Sequence, residues 1–315
     1  MTKNLNKADN AEIEKALISD FLTACSVEVT PKGAQKIDDF RTILKTGTKV
    51  YVTFLAGTRF EDTISTVKRL HDEGMKAVPH IAARAIPSRR ILDASLKVLQ
   101  AESEVTEALL IAGGIARPAG EFDSSIQVLR TGLFQKYGIT TVGVAGHPEG
   151  SPDIPDAEIT RALLEKIAYA RDNDIEMYIA TQFCFESEPV IAWDRRLRAQ
   201  GNTLPVHIGI PGLATIRTLI RHAQACGIGP SMRVLTRQSG NLAKLMTTRM
   251  PDKLVRELAD YKASNPDCGI THCHLYPLGG LQKSAAWMYA VQDGAFELNR
   301  DSGFRVLRDI QRSSK

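Results

Sequence analysis

The feature that most constrains this fold is a strand-like run, a turn and a helical stretch that recur eight times along the chain. Right-handed crossovers turn such βα repeats into a parallel sheet, and eight of them can close into a barrel. Val, Ile, Tyr and Thr dominate most of the runs, as expected of strands that are buried on both faces. The predicted strands are residues 26–30, 49–55, 76–82, 107–112, 140–145, 176–183, 204–210 and 269–275. The pattern therefore predicts an α/β protein with a (β/α)8, or TIM, barrel, whose active site lies at the carboxyl ends of the strands.

The chain is longer than a minimal barrel. Its 315 residues exceed the typical length of about 250, so one barrel with additions explains the length better than two domains. We expect one domain over residues 1–315, with residues 1–21 forming a polar N-terminal helix across the bottom of the barrel. Residues 216–226 and 239–262 predict extra helices between the seventh and eighth strands. The tail after Ala285 is also predicted to be helical.

Composition excludes several classes of protein. The net charge of +4 is too small to indicate binding to nucleic acid or to a membrane surface. The sequence has no apolar run of about 18 residues, and its N-terminal segment is too polar for a secretory signal peptide. Five cysteines without C-x-x-C spacing indicate reduced, buried thiols. We therefore expect a cytoplasmic protein that acts on small molecules.

Glu28 lies in an apolar strand-like run, between Val27 and Val29. Because successive side chains of a strand alternate between its faces, Glu28 points into the barrel if the two valines face the helices. A carboxyl group in that place is poorly hydrated, which suits a general acid. The alternative is a structural glutamate that pairs with a Lys or Arg inside the barrel, and the sequence leaves both open.

Three other strand ends carry residues that suit ligand binding. His80 ends the third strand, where it is either a hydrogen-bonded core residue or part of a binding site at the active face. Gly113 and Gly114 end the fourth strand, and the run from Ala145 to His147 ends the fifth. Glycines at such points let a backbone approach a flat ligand closely, although ordinary turn formation also explains them.

Gln182 ends the sixth strand among apolar neighbours. A buried amide needs partners at both ends, so this side chain either contacts a heterocycle with adjacent donor and acceptor atoms or serves only the backbone. In the eighth strand, His272 and His274 share one face while Cys273 points to the other. These three residues cannot close on one metal ion from a regular strand, so we expect no metal site.

Common cofactor-binding motifs are absent from the sequence. It has no G-x-x-x-x-G-K-[ST] phosphate loop, no G-x-G-x-x-G dinucleotide fingerprint, no H-E-x-x-H and no G-x-S-x-G. A nicotinamide or a flavin would therefore bind without the Rossmann arrangement.

Taken together, these strand ends resemble those of the methylenetetrahydrofolate reductase family, whose catalytic domain is a flavin-binding (β/α)8 barrel. The resemblance extends from residue 26 to about residue 276. No single segment is decisive, and the order and spacing of the segments around eight strands carry the resemblance. The most specific segments are residues 27–29 with Pro31, 52–53, 79–80, 143–150, 181–183, 205–211 and 274–276.

The resemblance implies an oxidoreductase of one-carbon metabolism, on the route to methionine, that interconverts 5,10-methylenetetrahydrofolate and 5-methyltetrahydrofolate. NADH or NADPH would supply hydride, and FAD would relay it to the folate. Glu28 matches the family's general acid, and Gln182 and Tyr276 match residues that contact the substrate. The positions that match the flavin site are Thr53, His80, Gly113, Gly114, Ala145 and His147.

The chain departs from the family pattern at several ligand positions. Ala112 and Gly114 stand where the family usually has an arginine and an aspartate. Ser151 replaces a histidine, Gly280 replaces an arginine, and His147 stands in the place of a tyrosine. These replacements bear directly on how FAD is held.

Other interpretations remain open on the same residues. One is a non-catalytic methyltetrahydrofolate-binding or partner subunit, which Gly114 and Gly280 motivate, and another is a corrinoid-linked methyltransferase barrel. The family's loop lysine has no clear match in this sequence, and Lys166 and Arg171 are the candidates. We expect no regulatory domain, and because barrels of this family commonly associate, the resemblance allows a homo-oligomer.

Overall fold

Eight parallel strands close into a barrel in this computed structural model, which describes residues 2–55, 57–152, 154–173, 175–226, 245–300 and 303–307. The barrel strands are β1 Ser26–Val29, β2 Lys49–Val52, β3 Lys76–Ala82, β4 Glu107–Ile111, β5 Thr141–Gly146, β6 Glu176–Phe183, β7 Val206–Pro211 and β10 Ile270–Tyr276. They follow one another around the sheet in the order β1-β10-β7-β6-β5-β4-β3-β2. The predicted fold class is thus confirmed, and each predicted strand begins and ends within three residues of an observed one.

Helices fill the intervals between the strands. In the helix Arg89–Ser103, the hydroxyl of Ser88 caps the N-terminus by accepting a hydrogen bond from the N–H of Ile91. The buried face of this helix is formed by Leu92, Leu96 and Leu99. The helices are α1 Thr2–Leu22, α2 Pro31–Ala34, α3 Phe60–Asp72, α4 Arg89–Ser103, α5 Ser125–Leu129, α6 Leu133–Lys136, α7 Asp156–Asp172, α8 Ser187–Ala199, α9 Ile216–Ala225, α10 Asp252–Ser264 and α11 Leu281–Gln292.

The extra segments between the seventh and eighth barrel strands are partly as predicted. The helices α9 and α10 confirm two of the predicted ones, and Pro251 caps the start of α10. Residues 239–244 of the predicted helical segment lie outside the described residues. A two-stranded antiparallel sheet of β8 (Ala214–Thr215) and β9 (Thr248–Arg249), which the sequence did not predict, also lies in this interval.

The tail of the chain corrects the prediction of a helix after Ala285. The helix α11 ends at Gln292, and Gly294 follows with a φ of +70°, in the left-handed region that favours glycine. Two antiparallel strands, β11 (Phe296–Leu298) and β12 (Phe304–Val306), then form a hairpin. The hairpin is anchored because Phe304 stacks on Trp287 of α11, with ring centroids 6.0 Å apart.

The N-terminal segment is helical as predicted, but the prediction that it crosses the bottom of the barrel was wrong. The contacts of α1 are with the outer helices α10 and α11 and with β10. Its last turns are buried at Ile18 and Leu22, and the hydroxyl of Ser19 donates to the carbonyl of Val291 at 2.8 Å. The buried stripe of α1 therefore packs against the helical layer.

Residue contacts divide the chain into two compact units. One comprises Met1–Cys25, His147–Pro155 and Thr181–Lys315, and the other comprises Ser26–Gly146 and Asp156–Ala180. The single-domain organisation expected from the sequence stays a prediction. No helix among the described residues combines the length and the hydropathy that crossing a membrane requires.

None of the five cysteines forms a disulfide, which agrees with the predicted reduced thiols, although they are not all buried. Cys25, Cys184 and Cys273 are buried, and burial raises the pKa of each thiol above its ordinary value. Cys268 is partly exposed, and Cys226, which follows the last turn of α9, is exposed.

A pair of tyrosines fills the interior of the Ser26–Gly146 and Asp156–Ala180 unit. The hydroxyls of Tyr51 on β2 and Tyr178 on β6 lie 2.6 Å apart. Because β2 and β6 are not neighbours in the sheet, their side chains can meet only inside the barrel. Burial raises the pKa of both phenols, so both stay protonated at neutral pH. An ion pair between Lys49 and Glu107, at 2.7 Å, lies beside this pair.

Gly143 on β5 leaves room for the tyrosine pair. A Cβ atom at this position would lie 2.6 Å from Cζ and 2.7 Å from the hydroxyl oxygen of Tyr178, and 2.8 Å from Cδ1 of Leu109. Contacts this short force neighbouring atoms to move. The glycine is therefore required by packing inside the barrel.

We predict that Gly143→Ala lowers the free energy of unfolding by about 1–3 kcal/mol, because it displaces Tyr178 from Tyr51. Urea-induced unfolding measures the change. The control is Gly114→Ala, where the added Cβ meets open space and the expected change is within about 0.5 kcal/mol. Equal stability of the two variants would contradict this account of the interior.

Candidate functional site

Glu28 points into the barrel, as its position in the strand predicted. In the register of the sheet it pairs with Tyr51 of β2, which in turn pairs with Val78 of β3. Residues that pair on parallel strands point to the same side of the sheet, and Tyr51 and Val78 both belong to the interior cluster. The neighbours Val27 and Val29 are buried on the opposite, helix-facing side. Glu28 is only partly buried.

The ends of β2 and β3 contribute two polar side chains. Thr53 follows β2, where its N–H donates to the carbonyl of Val29 at 2.9 Å. Its Oγ1 is buried and has no hydrogen-bond partner among the residues that the structure describes. His80 on β3 is 7% exposed and faces inward, because its ring meets the ring of Tyr51 edge to face with centroids 5.9 Å apart.

Two glycines, Gly113 and Gly114, follow the end of β4, so the backbone there carries no side chains. Gly113 has a φ of +89°, which disfavours any other residue, and a Cβ there would lie 3.2 Å from Cβ of Ala82. Gly114 is exposed, and a Cβ added to it would meet no atom within 4 Å. On the neighbouring strand, Ala145 lies two residues beyond the inward-facing Gly143 and so shares its face. A flat ligand can therefore approach this edge closely.

Gln182 and the end of β6 belong to the other unit. The side-chain oxygen of Gln182 accepts a hydrogen bond from the N–H of Phe183 at 3.1 Å. Its Nε2 makes no hydrogen bond within the described part of the chain. One end of the amide thus serves the backbone, and the other end retains two donors for a ligand.

Thr181 holds this strand end in place, a role that the sequence did not reveal. Its hydroxyl accepts from the N–H of Gly209 at 2.8 Å and donates to the carbonyl of Gln182 at 2.9 Å. A Cβ at Gly209 would lie 2.6 Å from the carbonyl oxygen of Thr181, so only glycine permits this approach of β7 to β6. The Thr-Gln-Phe segment was singled out as a motif, but a threonine side chain gives no local sign of such a partner.

Tyr276 at the end of β10 is tied to the same segment. Its hydroxyl donates to the carbonyl of Thr181 at 2.8 Å. Its ring contacts the rings of Phe183 and His274, with centroids 5.1 Å and 4.7 Å away. Tyr276 is therefore attached to the backbone of Thr181 and packs on Phe183, the residues on either side of Gln182.

His147 and the histidines of the last strand complete the predicted positions. His147 follows β5 and is partly exposed, and its carbonyl accepts from the N–H of Gly150 in a turn, at 3.1 Å. The ring of His272 lies 4.6 Å from that of His207. Within the described ranges, no cluster of three or more His, Cys, Asp or Glu side chains is placed to hold a metal ion.

The two candidates for the family's loop lysine, Lys166 and Arg171, differ in burial in the structure. Lys166 lies on the buried stripe of α7 with Leu163 and Ala170, and burial lowers the pKa of its amine. Arg171 is exposed and pairs with Asp172 at 3.0 Å. Lys166 is therefore the candidate that the fold holds on the inner face of the helix.

The strand ends from β1 to β5 fit a flat, phosphate-bearing group such as FAD. The buried Oγ1 of Thr53 requires a hydrogen-bond partner, and the open space in front of Gly114 leaves backbone N–H groups accessible. The roles assigned from the sequence to Glu28, Gln182, Tyr276 and the flavin positions stay predictions.

Comparison with known proteins points to one family. The family model described as methylenetetrahydrofolate reductase matches residues 20–273. The protein named Methylenetetrahydrofolate reductase 2 from Saccharomyces cerevisiae is 28% identical over 159 residues, covering 47% of this chain and 24% of that protein. Methylenetetrahydrofolate reductase 1 from Schizosaccharomyces pombe is 34% identical over 88 residues, covering 28% of this chain and 14% of that protein. The matched segments thus span less than a quarter of each relative's length.

A solved structure shares the fold. It is described as an uncharacterized protein from Clostridium thermocellum that binds two copies of 5-methyl-5,6,7,8-tetrahydrofolic acid. The match has a TM-score of 0.51 and 12% identity, and it covers 85% of this chain and 94% of that one. At this identity the likeness shows the fold alone. The family model, however, extends from before β1 into β10, and the chain belongs to the methylenetetrahydrofolate reductase family.

Proposed function

We propose that this chain interconverts 5,10-methylenetetrahydrofolate and 5-methyltetrahydrofolate by hydride transfer from NADH or NADPH, with FAD as the relay and Glu28 as the general acid. The observation that carries the proposal is the inward orientation of Glu28 at the rim of a barrel of this family. Glu28 is partly exposed, while its register partner Tyr51 is fully buried.

The chemistry explains why an acid is needed. The methylene bridge of the folate accepts hydride only after its five-membered ring opens to an iminium ion. Opening breaks a carbon–nitrogen bond, and the departing nitrogen must take up a proton. We assign that proton to the carboxyl group of Glu28. The resulting carboxylate takes up a new proton from solvent after hydride has added to the iminium carbon. The reverse reaction returns the proton to the same group.

The flavin would be held by the ends of the strands from β1 to β5. Thr53 would donate from its buried hydroxyl, Gly113 and Gly114 would admit the ring and its chain closely, and Ala145 would line the same face. His80 would complete the set at the end of β3. The role of His147 in flavin binding, which the resemblance implies, stays a prediction. When bound, FAD would pass hydride from the nicotinamide to the folate.

Gln182 and Tyr276 would orient the pterin. The Nε2 group of Gln182 offers two N–H donors, and the phenol oxygen of Tyr276 offers an acceptor. Both side chains are fixed by their bonds to the backbone of the Thr181–Phe183 segment, so little motion is lost when a ligand binds.

The positions at which this chain lacks the family's usual ligand-binding side chains favour a second candidate function. Glycine at 114 and at 280 leaves no side chain where the family usually has an aspartate and an arginine. A methyltetrahydrofolate-binding partner subunit would need the folate contacts alone, and the structural neighbour is described as binding methyltetrahydrofolate. Such a subunit would bind the folate but would transfer no hydride from any donor.

We predict that Glu28→Gln lowers the rate of folate reduction by about 10²–10⁴-fold, because the amide cannot donate a proton to the departing nitrogen. The rate is measured with NADH and 5,10-methylenetetrahydrofolate, and a titration with 5-methyltetrahydrofolate should show unchanged affinity. Glu61→Gln, on the exposed face of α3, is the matched control and should keep the wild-type rate. Turnover of Glu28→Gln at the wild-type rate would remove Glu28 from its role.

We predict that Gln182→Ala weakens binding of 5-methyltetrahydrofolate by about tenfold, because the substitution removes amide hydrogen bonds to the pterin. Calorimetric titration of the purified proteins measures the affinity. Gln200→Ala, at the exposed end of α8, is the matched control and should bind as the wild type does. Equal affinity in Gln182→Ala and the control would contradict the assignment of Gln182.

A further inference from the structure

Arg84 is a cation at the carboxyl end of β3 that forms no ion pair with any residue the structure describes. It lies in the short turn Ala83–Ala85 that follows this strand, and its side chain is partly buried. Its Nε is buried and has no hydrogen-bond partner among the described residues, and a positive charge that is partly buried without a carboxylate is stabilised by an anion that binds beside it.

The guanidinium group has donors to spare. Of its five N–H groups, one at Nη2 donates to the carbonyl of Ala116 at 2.9 Å. The bond to Ala116 is exposed, so an anion can approach the remaining N–H groups at the Nη end of the guanidinium group from solvent.

The loop after β4 folds around Arg84 and fixes it. The N–H of Arg84 donates to the carbonyl of Ala112 at 2.9 Å, and its carbonyl accepts from the N–H of Ala119 at 2.8 Å. With the bond to Ala116, the arginine is attached to this loop at three points. Gly113 and Gly114 lie between those points, so the guanidinium group and the bare glycine backbone occupy one stretch of the rim.

We propose that Arg84, together with the backbone of Gly113 and Gly114, binds the diphosphate group of a dinucleotide cofactor. Arginine binds phosphate oxygens through paired N–H donors, and an unobstructed glycine backbone lets phosphate oxygens approach main-chain N–H groups. The inference rests on the proposed function only in its choice of ligands, since FAD and NADH both contain a diphosphate. Arg84 thus supplies from β3 the positive charge that Ala112 on the neighbouring strand end does not carry.

The test compares ligands with and without a diphosphate. Purified full-length wild type, Arg84→Ala, Arg84→Lys and Arg117→Ala are titrated calorimetrically with FAD, NADH, riboflavin and 5-methyltetrahydrofolate. Arg117 lies in the same loop and is exposed, so it is the matched control for charge. Thermal unfolding of each variant reports whether the fold is intact, and Arg84→Lys keeps the charge if Arg84→Ala fails to fold.

We expect Arg84→Ala to weaken binding of FAD, NADH or both by about tenfold or more, with a smaller loss in Arg84→Lys. Riboflavin and 5-methyltetrahydrofolate should bind all four proteins equally, and Arg117→Ala should bind as the wild type does. The ligand whose affinity falls identifies the cofactor that the site holds.

Several outcomes would overturn the proposal. They are unchanged affinity for FAD and NADH in Arg84→Ala, an equal loss in Arg117→Ala, a loss confined to the folate, or a wild type that binds neither dinucleotide. Failure of the proposed function is a separate result, because it is measured as absent folate reduction, whereas these titrations require no turnover.

Discussion

The hydrogen bond between the hydroxyls of Tyr51 and Tyr178 is the interaction on which the interior of the barrel depends. It joins two strands that are not neighbours in the sheet, and it requires a glycine at position 143 to make room for the second ring. The two phenols stay neutral because burial raises their pKa. The charges of Lys49 and Glu107 beside them cancel as an ion pair. The interior around the tyrosine pair is therefore filled with side chains, and this network carries no net charge.

The proposed site depends on where, along the barrel axis, the buried side chains around Tyr51 and Tyr178 give way to partly exposed ones. Tyr51 is completely buried, whereas its register partner Glu28 is partly exposed. The ring of His80 rests edge-on against Tyr51, at the same boundary. A ligand that enters from the carboxyl ends of the strands would thus stop at the tyrosine pair, with the carboxyl group of Glu28 within its reach. The pairing of β1 with β2 therefore fixes both the packing of Tyr51 in the core and the position of Glu28 beside it.

The sequence predicted the barrel and the orientation of Glu28 because both follow from local patterns. Runs rich in β-branched residues mark the strands, and strict alternation sends Glu28 to the face opposite its flanking valines. It could not predict the packing of α1, because a polar helix carries no sign of which helices will cover it. The hairpin formed by β11 and β12 was missed because each of its strands has only three residues, which is too short for an alternating strand pattern to show in the sequence.

The same limit applies to the site. Gln182 and Tyr276 were found because polar side chains at strand ends are conspicuous among apolar neighbours. Thr181 and Arg84 were not, since their significance lies in partners distant in sequence, such as Gly209 and the loop from Ala112 to Ala119. Contacts of this kind exist only once the strands are assembled, so no pattern within a single strand reports them.

A crystal structure of the protein with 5-methyltetrahydrofolate bound tests the central claim most directly. The account predicts that the pterin lies at the carboxyl ends of the barrel strands, with the carboxyl group of Glu28 about 2.6–3.2 Å from one of its nitrogen atoms, directly or through one water. A folate bound away from this rim, or a Glu28 side chain that faces the helices in the complex, would contradict it.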